Sequence, residues 1–164
     1  MSAPPATARG NAWFPSSTTV KSPLLPEGST CSLLLFYHYV APQMSSGKVE
    51  HLKKFLVDTC THLSLGGRLR VAKEGLNCTL SGPGPHLRTF ASELKSWSWS
   101  SSPSGVGPFG PCDNFKYVDA LPADRHFSQL TVLPVQELVF YGVGEGEAPL
   151  DEGGEHLAAK DYHR

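Results

Sequence analysis

The sequence predicts an α+β sandwich in which two helices cover one face of an antiparallel sheet. Three observations predict it: a period-2 hairpin pattern over Gly67–Gly82, a helical stripe before it and a second helical stripe after it. In the hairpin, Leu69 and Val71 alternate with Arg68 and Arg70, then Leu76, Cys78 and Leu80 alternate with Asn77 and Thr79. Successive strand side chains point to opposite faces, so the first set belongs to a core and the second to a face open to solvent or a partner. Gly75 supplies the backbone freedom that the reversal between the two strands needs.

The remaining elements follow in order. Residues 1–30, rich in Ser, Pro and Ala, read as a disordered tail. Arg9 and Lys21 with one acid, Glu27, also fit an organellar transit peptide faintly, although five prolines oppose an amphipathic helix. Ser32–Val40 (SLLLFYHYV) is an apolar run of strand length that Ala41-Pro42 ends. Val49, Leu52, Leu56, Cys60 and Leu63 recur at helical spacing, with Ser45 or Ser46 as cap and Gly66-Gly67 as stop.

After the hairpin, Pro85 opens a second helix whose Leu87, Phe90, Ala91 and Leu94 share a face. Ser96–Gly110 (SWSWSSSPSGVGPFG) reads as a mobile surface loop that extends to about residue 112. Phe115–Val118 is a strand or a strand end, and Leu130–Phe140 is the closing strand, with Pro134 marking an edge, a bulge or a break. The order over 31–142 is that of a ferredoxin-like βαββαβ sandwich, the acylphosphatase-like arrangement. Residues 143–164 read as an acidic, Gly-rich linker and the start of a further domain, so the chain has the look of a fragment or a truncated product.

Composition narrows the function classes. The 164 residues are 40% hydrophobic, enough for one packed domain, and the formal charge of -1 argues against a strongly basic nucleic-acid binder. A local basic patch can still sit beneath acidic stretches such as Glu145–Glu155. No run reaches the roughly 18 apolar residues of a membrane helix. Cys31, Cys60, Cys78 and Cys112 are scattered without paired spacing, which fits a reduced, cytoplasmic setting, with a mitochondrion or plastid as the alternative if residues 1–30 are a transit peptide.

Arg68, Arg70 and Lys73, with Lys116 and Arg125, are candidates for a cationic sheet face, and Tyr37 or Tyr39 for stacking on bases. Any half-exposed sheet produces the same alternation as a solvated face, so the residues alone leave both readings open. Glu74 and Asn77 flank Gly75, where they bind a ligand or tie the turn; the absence of a second catalytic group nearby favours the turn. His38, on an aromatic strand, reads as packed rather than as a general base. Cys60-Thr61-His62 and Cys112 lack zinc spacing, so no metal or other cofactor is expected. Trp97 and Trp99 are either partner anchors or folded back on the core.

Four blocks carry a resemblance: FYHY at Phe36–Tyr39, GRLRVAKEGLN at Gly67–Asn77, the spaced Leu130, Val132, Val135, Glu137 and Val139 before Gly142, and GEHLAAKDYH at Gly154–His163. In them the chain resembles the amino-terminal domain of the rhodanese-containing tRNA uridine hydroxylase family, eukaryotic rhodanese-like relatives included. The second block is the specific one, since family members show G-R-apolar-x-apolar-A-x-E-G-I-N there, with Leu76 standing here for the Ile. The resemblance implies a domain that precedes a rhodanese, sulfurtransferase-related domain with a reactive loop cysteine, in enzymes whose bacterial members hydroxylate a wobble uridine of tRNA.

None of the four cysteines sits in a C-x-G-G-x-R type loop, so no catalytic residue carries over. The resemblance therefore implies a non-catalytic substrate-docking or scaffolding domain, with tRNA as partner and a rhodanese domain in cis that begins where this chain ends. A protein-interaction module or truncated isoform without RNA binding is the alternative. An RNA-recognition motif needs an aromatic K/R-G-F/Y segment where LNCTLSG stands. An acylphosphatase needs a phosphate-cradling loop with an arginine where APQMSSGK stands, so a small acyl-phosphate hydrolase ranks third.

Overall fold

The computed structural model describes residues 16–98 and 107–139. A short strand, β1 (Thr18–Lys21), forms where the composition predicts a disordered tail. Val20 lies opposite Leu130, and the buried Ser22 hydroxyl donates to the Leu65 carbonyl at 3.0 Å, so the packed domain extends ahead of residue 31. Four residues paired through their backbone need no apolar periodicity, and composition passes over them.

The run Thr30–Tyr39 is β2, and the helix after it, α1 (Ser46–His62), starts at Ser45, whose Oγ accepts from the Lys48 amide at 3.4 Å. Its buried face is the predicted stripe of Val49, Leu52, Leu56 and Cys60. The helix ends earlier than the glycines suggest: Ser64 turns the chain at φ 54, and Gly66 and Gly67 already belong to β3 (Gly66–Ala72). β4 (Gly75–Gly82) returns along β3, and α2 (Gly84–Ser96) buries Leu87, Phe90, Ala91 and Leu94 as their spacing predicts. β5 (Lys116–Pro122), a single 3₁₀ turn (Ala123–Arg125) and β6 (Gln129–Pro134) complete the order.

The six strands lie in the order β1-β6-β3-β4-β2-β5. Within it, β3, β4, β2 and β5 are antiparallel neighbours and form the predicted ferredoxin-like unit, with α1 and α2 packed on the sheet. The core lies between: Leu34, Phe36, Leu69, Leu76, Cys78 and Leu80 of the sheet meet the two helical stripes.

The closing strand is a correction. The fourth strand of the unit is β5, and the Leu130 run, only six residues long as a strand, lies on the other side of the unit, parallel to β3 and flanked on its outer side by β1. β5 carries a mixed sequence because it is an edge strand with few inward positions, whereas β6 is apolar because Leu130 and Val132 are buried beneath α1.

The β5–β6 connection therefore crosses from the β5 edge of the sheet to the far side of β3. It crosses on the face away from the helices: the Phe127 amide donates to Ser81 Oγ at 2.8 Å, and Ser81 Oγ and His126 Nδ1 are 2.9 Å apart. Gly66 lies so close beneath it that a Cβ there would collide with the Phe127 carbonyl. One end of this face is thus covered, and among the described residues nothing covers the rest, which is the bare face of the sheet.

Burial holds the His126 imidazole below its ordinary value of 6.5, against the opposing pull of the Pro23 carbonyl. Burial holds His38 down likewise. A neutral imidazole in the fold means that the unfolded chain takes up protons first, so this stability is complete above about pH 6.5 and is lost as pH falls through the depressed values. Urea midpoints are expected to drop between pH 7.5 and 5.5, and less so in His126→Gln; an equal drop in that variant would remove His126 as a source.

Residues 107–112 differ from the predicted surface loop. Phe109 is fully buried, edge-on to Phe36 at 6.4 Å and to His38 at 5.9 Å, and Cys112 is buried as well. Trp97 folds back against Phe55 at 5.6 Å and Phe109 at 6.2 Å; Trp99 lies outside the described residues. An average over a Ser/Gly/Pro stretch conceals single apolar anchors. His38, stacked on Phe36, is part of this packing.

All four cysteines are free and buried, with burial pushing Cys78 up to about 12 and Cys112 to about 11. Thiols so protonated are weak nucleophiles. Among the described residues no helix is long and apolar enough to cross a membrane, and no group of side chains could hold a metal ion.

Candidate functional site

Strand alternation and register place the candidate residues on the bare face in rows that run across the strands. One row reads Tyr37, Asn77, Arg70 and Leu133 over β2, β4, β3 and β6. The next reads Lys116, Leu35, Thr79, Arg68 and Thr131, beginning on β5. A third holds Val118 beside Leu33 and ends at Ser81, where the crossing connection covers the sheet. Neighbouring strands lie about 4.8 Å apart, so Lys116 and Arg68 flank a band roughly 14 Å wide.

The band is partly apolar and partly cationic. Leu35, Tyr37 and Val118 are 45%, 47% and 55% exposed, a high value for side chains of this size on a sheet. Arg68, Arg70, Asn77 and Thr79 line a shallow depression of about 210 Å³ beside them. Arg68 and Arg70 are exposed and make no ion pair among the described residues, unlike Arg88, which grips Asp119 at 2.8 Å and lies 4.7 Å above the Tyr117 ring. That pair, with the Ser32 hydroxyl donating to Asp119 at 2.6 Å, fastens β5 to α2 and holds the Asp119 carboxyl below its ordinary range.

A larger groove of about 830 Å³ lies between the β1–β2 connection and the 3₁₀ turn, but it presents Glu27 and Asp124 and suits no anion.

The structure gathers most, but not all, of the sequence candidates. Arg68, Arg70, Tyr37, Tyr39 and Lys116 share the bare face. Lys73 sits in the β3–β4 turn beyond its end. Arg125 is not on a strand: it belongs to the 3₁₀ turn at the opposite, covered end of the sheet, so the five cations do not form one patch. Leu35, Thr79 and Val118 were missing from the sequence candidates, and so was Asn114, whose amide donates to the Tyr37 carbonyl at 2.7 Å and ties down the strand beneath the ring.

The Glu-Gly corner is a tie point. The Val40 amide donates to the Glu74 carbonyl at 2.8 Å, and the Leu138 amide to Glu74 Oε1 at 2.6 Å. Gly75 holds φ 149, and a Cβ there would run into the His38 carbonyl. Asn77 departs from the turn reading: it projects between Tyr37 and Arg70 on the bare face.

Fold and face define the class: an α+β sandwich domain offering a bare, partly cationic sheet face. By sequence the chain belongs to the UPF0176 N-terminal, acylphosphatase-like domain family, which matches residues 31–137. It is 29% identical over 132 residues to the tRNA uridine(34) hydroxylase of Synechococcus elongatus, covering 80% of this chain and 43% of that protein. The tRNA uridine(34) hydroxylase of Shouchella clausii is likewise 29% identical over 132 residues, with 79% of this chain and 36% of that protein covered. The chain thus spans less than half the length of these curated relatives.

Proposed function

We propose that this chain is a substrate-docking domain of a tRNA-modifying enzyme and that the bare sheet face holds the RNA, the chemistry residing in a rhodanese domain in cis. One observation carries the reading: Arg68, Arg70 and Lys116 stand in adjacent rows with the exposed Tyr37 and Leu35 between them. Cations spaced across a flat surface suit phosphates, and an exposed ring between them suits a base face. Asn77 and Thr79 offer hydrogen bonds to base edges or ribose hydroxyls.

The test is RNA binding by the full chain against salt. Three phosphate contacts predict a log–log slope of about -2 for unpaired RNA. The Arg68→Ala/Arg70→Ala/Lys116→Ala variant is expected to bind at least about tenfold more weakly with a nearly flat slope, and Tyr37→Ala about fivefold more weakly with the slope kept. Wild-type affinity in the triple variant would sink the docking reading. The exposed Leu35, Tyr37 and Val118 favour one other reading, a protein-interaction face. It would gain if the triple variant lost nothing on RNA.

A further inference from the structure

We propose that the acidic stretch at residues 145–155 of this same chain is a second, competing occupant of the bare face, an internal anion on Arg68, Arg70 and Lys116 that RNA must displace. The inference rests on the docking reading only for the identity of the displacing partner.

Charge gives the first argument. Glu145, Glu147, Asp151, Glu152 and Glu155 put five carboxylates in eleven residues that contain no Lys or Arg. They account for the acidic balance of a chain whose formal charge is only -1. Arg68 and Arg70, exposed and without an ion pair among the described residues, are the complementary groups. The apolar pair Pro149-Leu150 lies in the middle of the stretch, as the exposed Leu35 and Tyr37 lie among the cations.

Position gives the second. The Val135 amide donates to the Val71 carbonyl at 2.9 Å, Leu138 is buried, and its amide is held by Glu74, so the chain at Val139 is pinned beside the β3–β4 turn. Arg68 lies four residues along β3 from Ala72 at that turn, a distance of about 13 Å. The six residues from Val139 to Glu145 can span up to about 20 Å, so every carboxylate from Glu145 onward is within reach of the face.

A segment tethered so closely competes at millimolar effective concentration without needing high intrinsic affinity. Contacts between exposed charges also weaken with salt, so the competition fades as ionic strength rises.

The experiment uses the full chain in three forms: wild type, E145Q/E147Q/D151N/E152Q/E155Q, and a control in which four exposed acids on the helices, the β1–β2 connection and the 3₁₀ turn are neutralised instead, E27Q/D58N/E93Q/D124N. In the absence of RNA, the side-chain NMR signals of Arg68, Arg70 and Asn77 are expected to shift in the first variant and not in the control. Affinity for a short uridine-rich RNA is expected to rise about fivefold beyond the control at low salt, with the difference gone near about 0.5 M. Face signals identical in wild type and the first variant would overturn the inference. Signals that shift while no form binds RNA would uphold the cis contact and remove the docking reading instead.

Discussion

Replacing Gly75 by Ala is expected to cost at least about 3 kcal/mol of folding stability, measured as a lowered urea midpoint. Two penalties act together. At φ 149 an L side chain sits in backbone territory that it rarely adopts, and its Cβ would run into the His38 carbonyl of the neighbouring strand. That strand has little room to yield, because His38 is paired with Leu76 in the β2–β4 ladder and its ring is packed on Phe36 and Phe109. The corner also carries the Glu74 bonds to Val40 and Leu138, so the strain reaches both the end of β2 and the segment after β6. A midpoint within experimental error of wild type would mean that β2 and β4 are not in this register.

Phe109→Ala is expected to cost about 3 to 4 kcal/mol. A side chain on a solvated loop would cost within about 0.5 kcal/mol, so the measurement separates a packed segment from the surface loop that composition predicts. The value is large because the ring touches three aromatic neighbours: Phe36, His38 and Trp97. Phe36 is itself stacked on Phe115 at 4.3 Å, so a cavity at Phe109 also loosens the approach to β5. Phe109→Leu should recover most of the loss, since it restores most of the buried volume.

The helices and the hairpin were legible because local periodicity reports burial directly. Each of Leu87, Phe90, Ala91 and Leu94 is buried where its spacing places it, and so are Leu69, Val71, Leu76, Cys78 and Leu80. Strand pairing at the edges was not legible. Thr18–Lys21 and Lys116–Pro122 carry weak patterns because an edge strand buries few side chains, while the Leu130 run, paired on both sides, has a strong pattern that says nothing of which side of the unit it joins. The candidate site shows the same division. Alternation put Arg68 and Arg70 on one face, but nothing local separates a cation on that face, Lys116, from one at its covered end, Arg125.

The sequence by itself determined the domain family, the two helices, the hairpin and its inward side chains, because these follow from contacts between residues a few positions apart or from a motif read letter by letter. The tertiary structure alone decided which strand closes the ferredoxin-like unit, where the β5–β6 connection crosses, and hence how much of the sheet is bare. It also decided that Tyr37, Asn77 and Arg70 share a row while Arg125 lies elsewhere. The reason is physical: a strand's own side-chain period says which residues face alike, and only backbone hydrogen bonds between distant segments set register and order across the sheet.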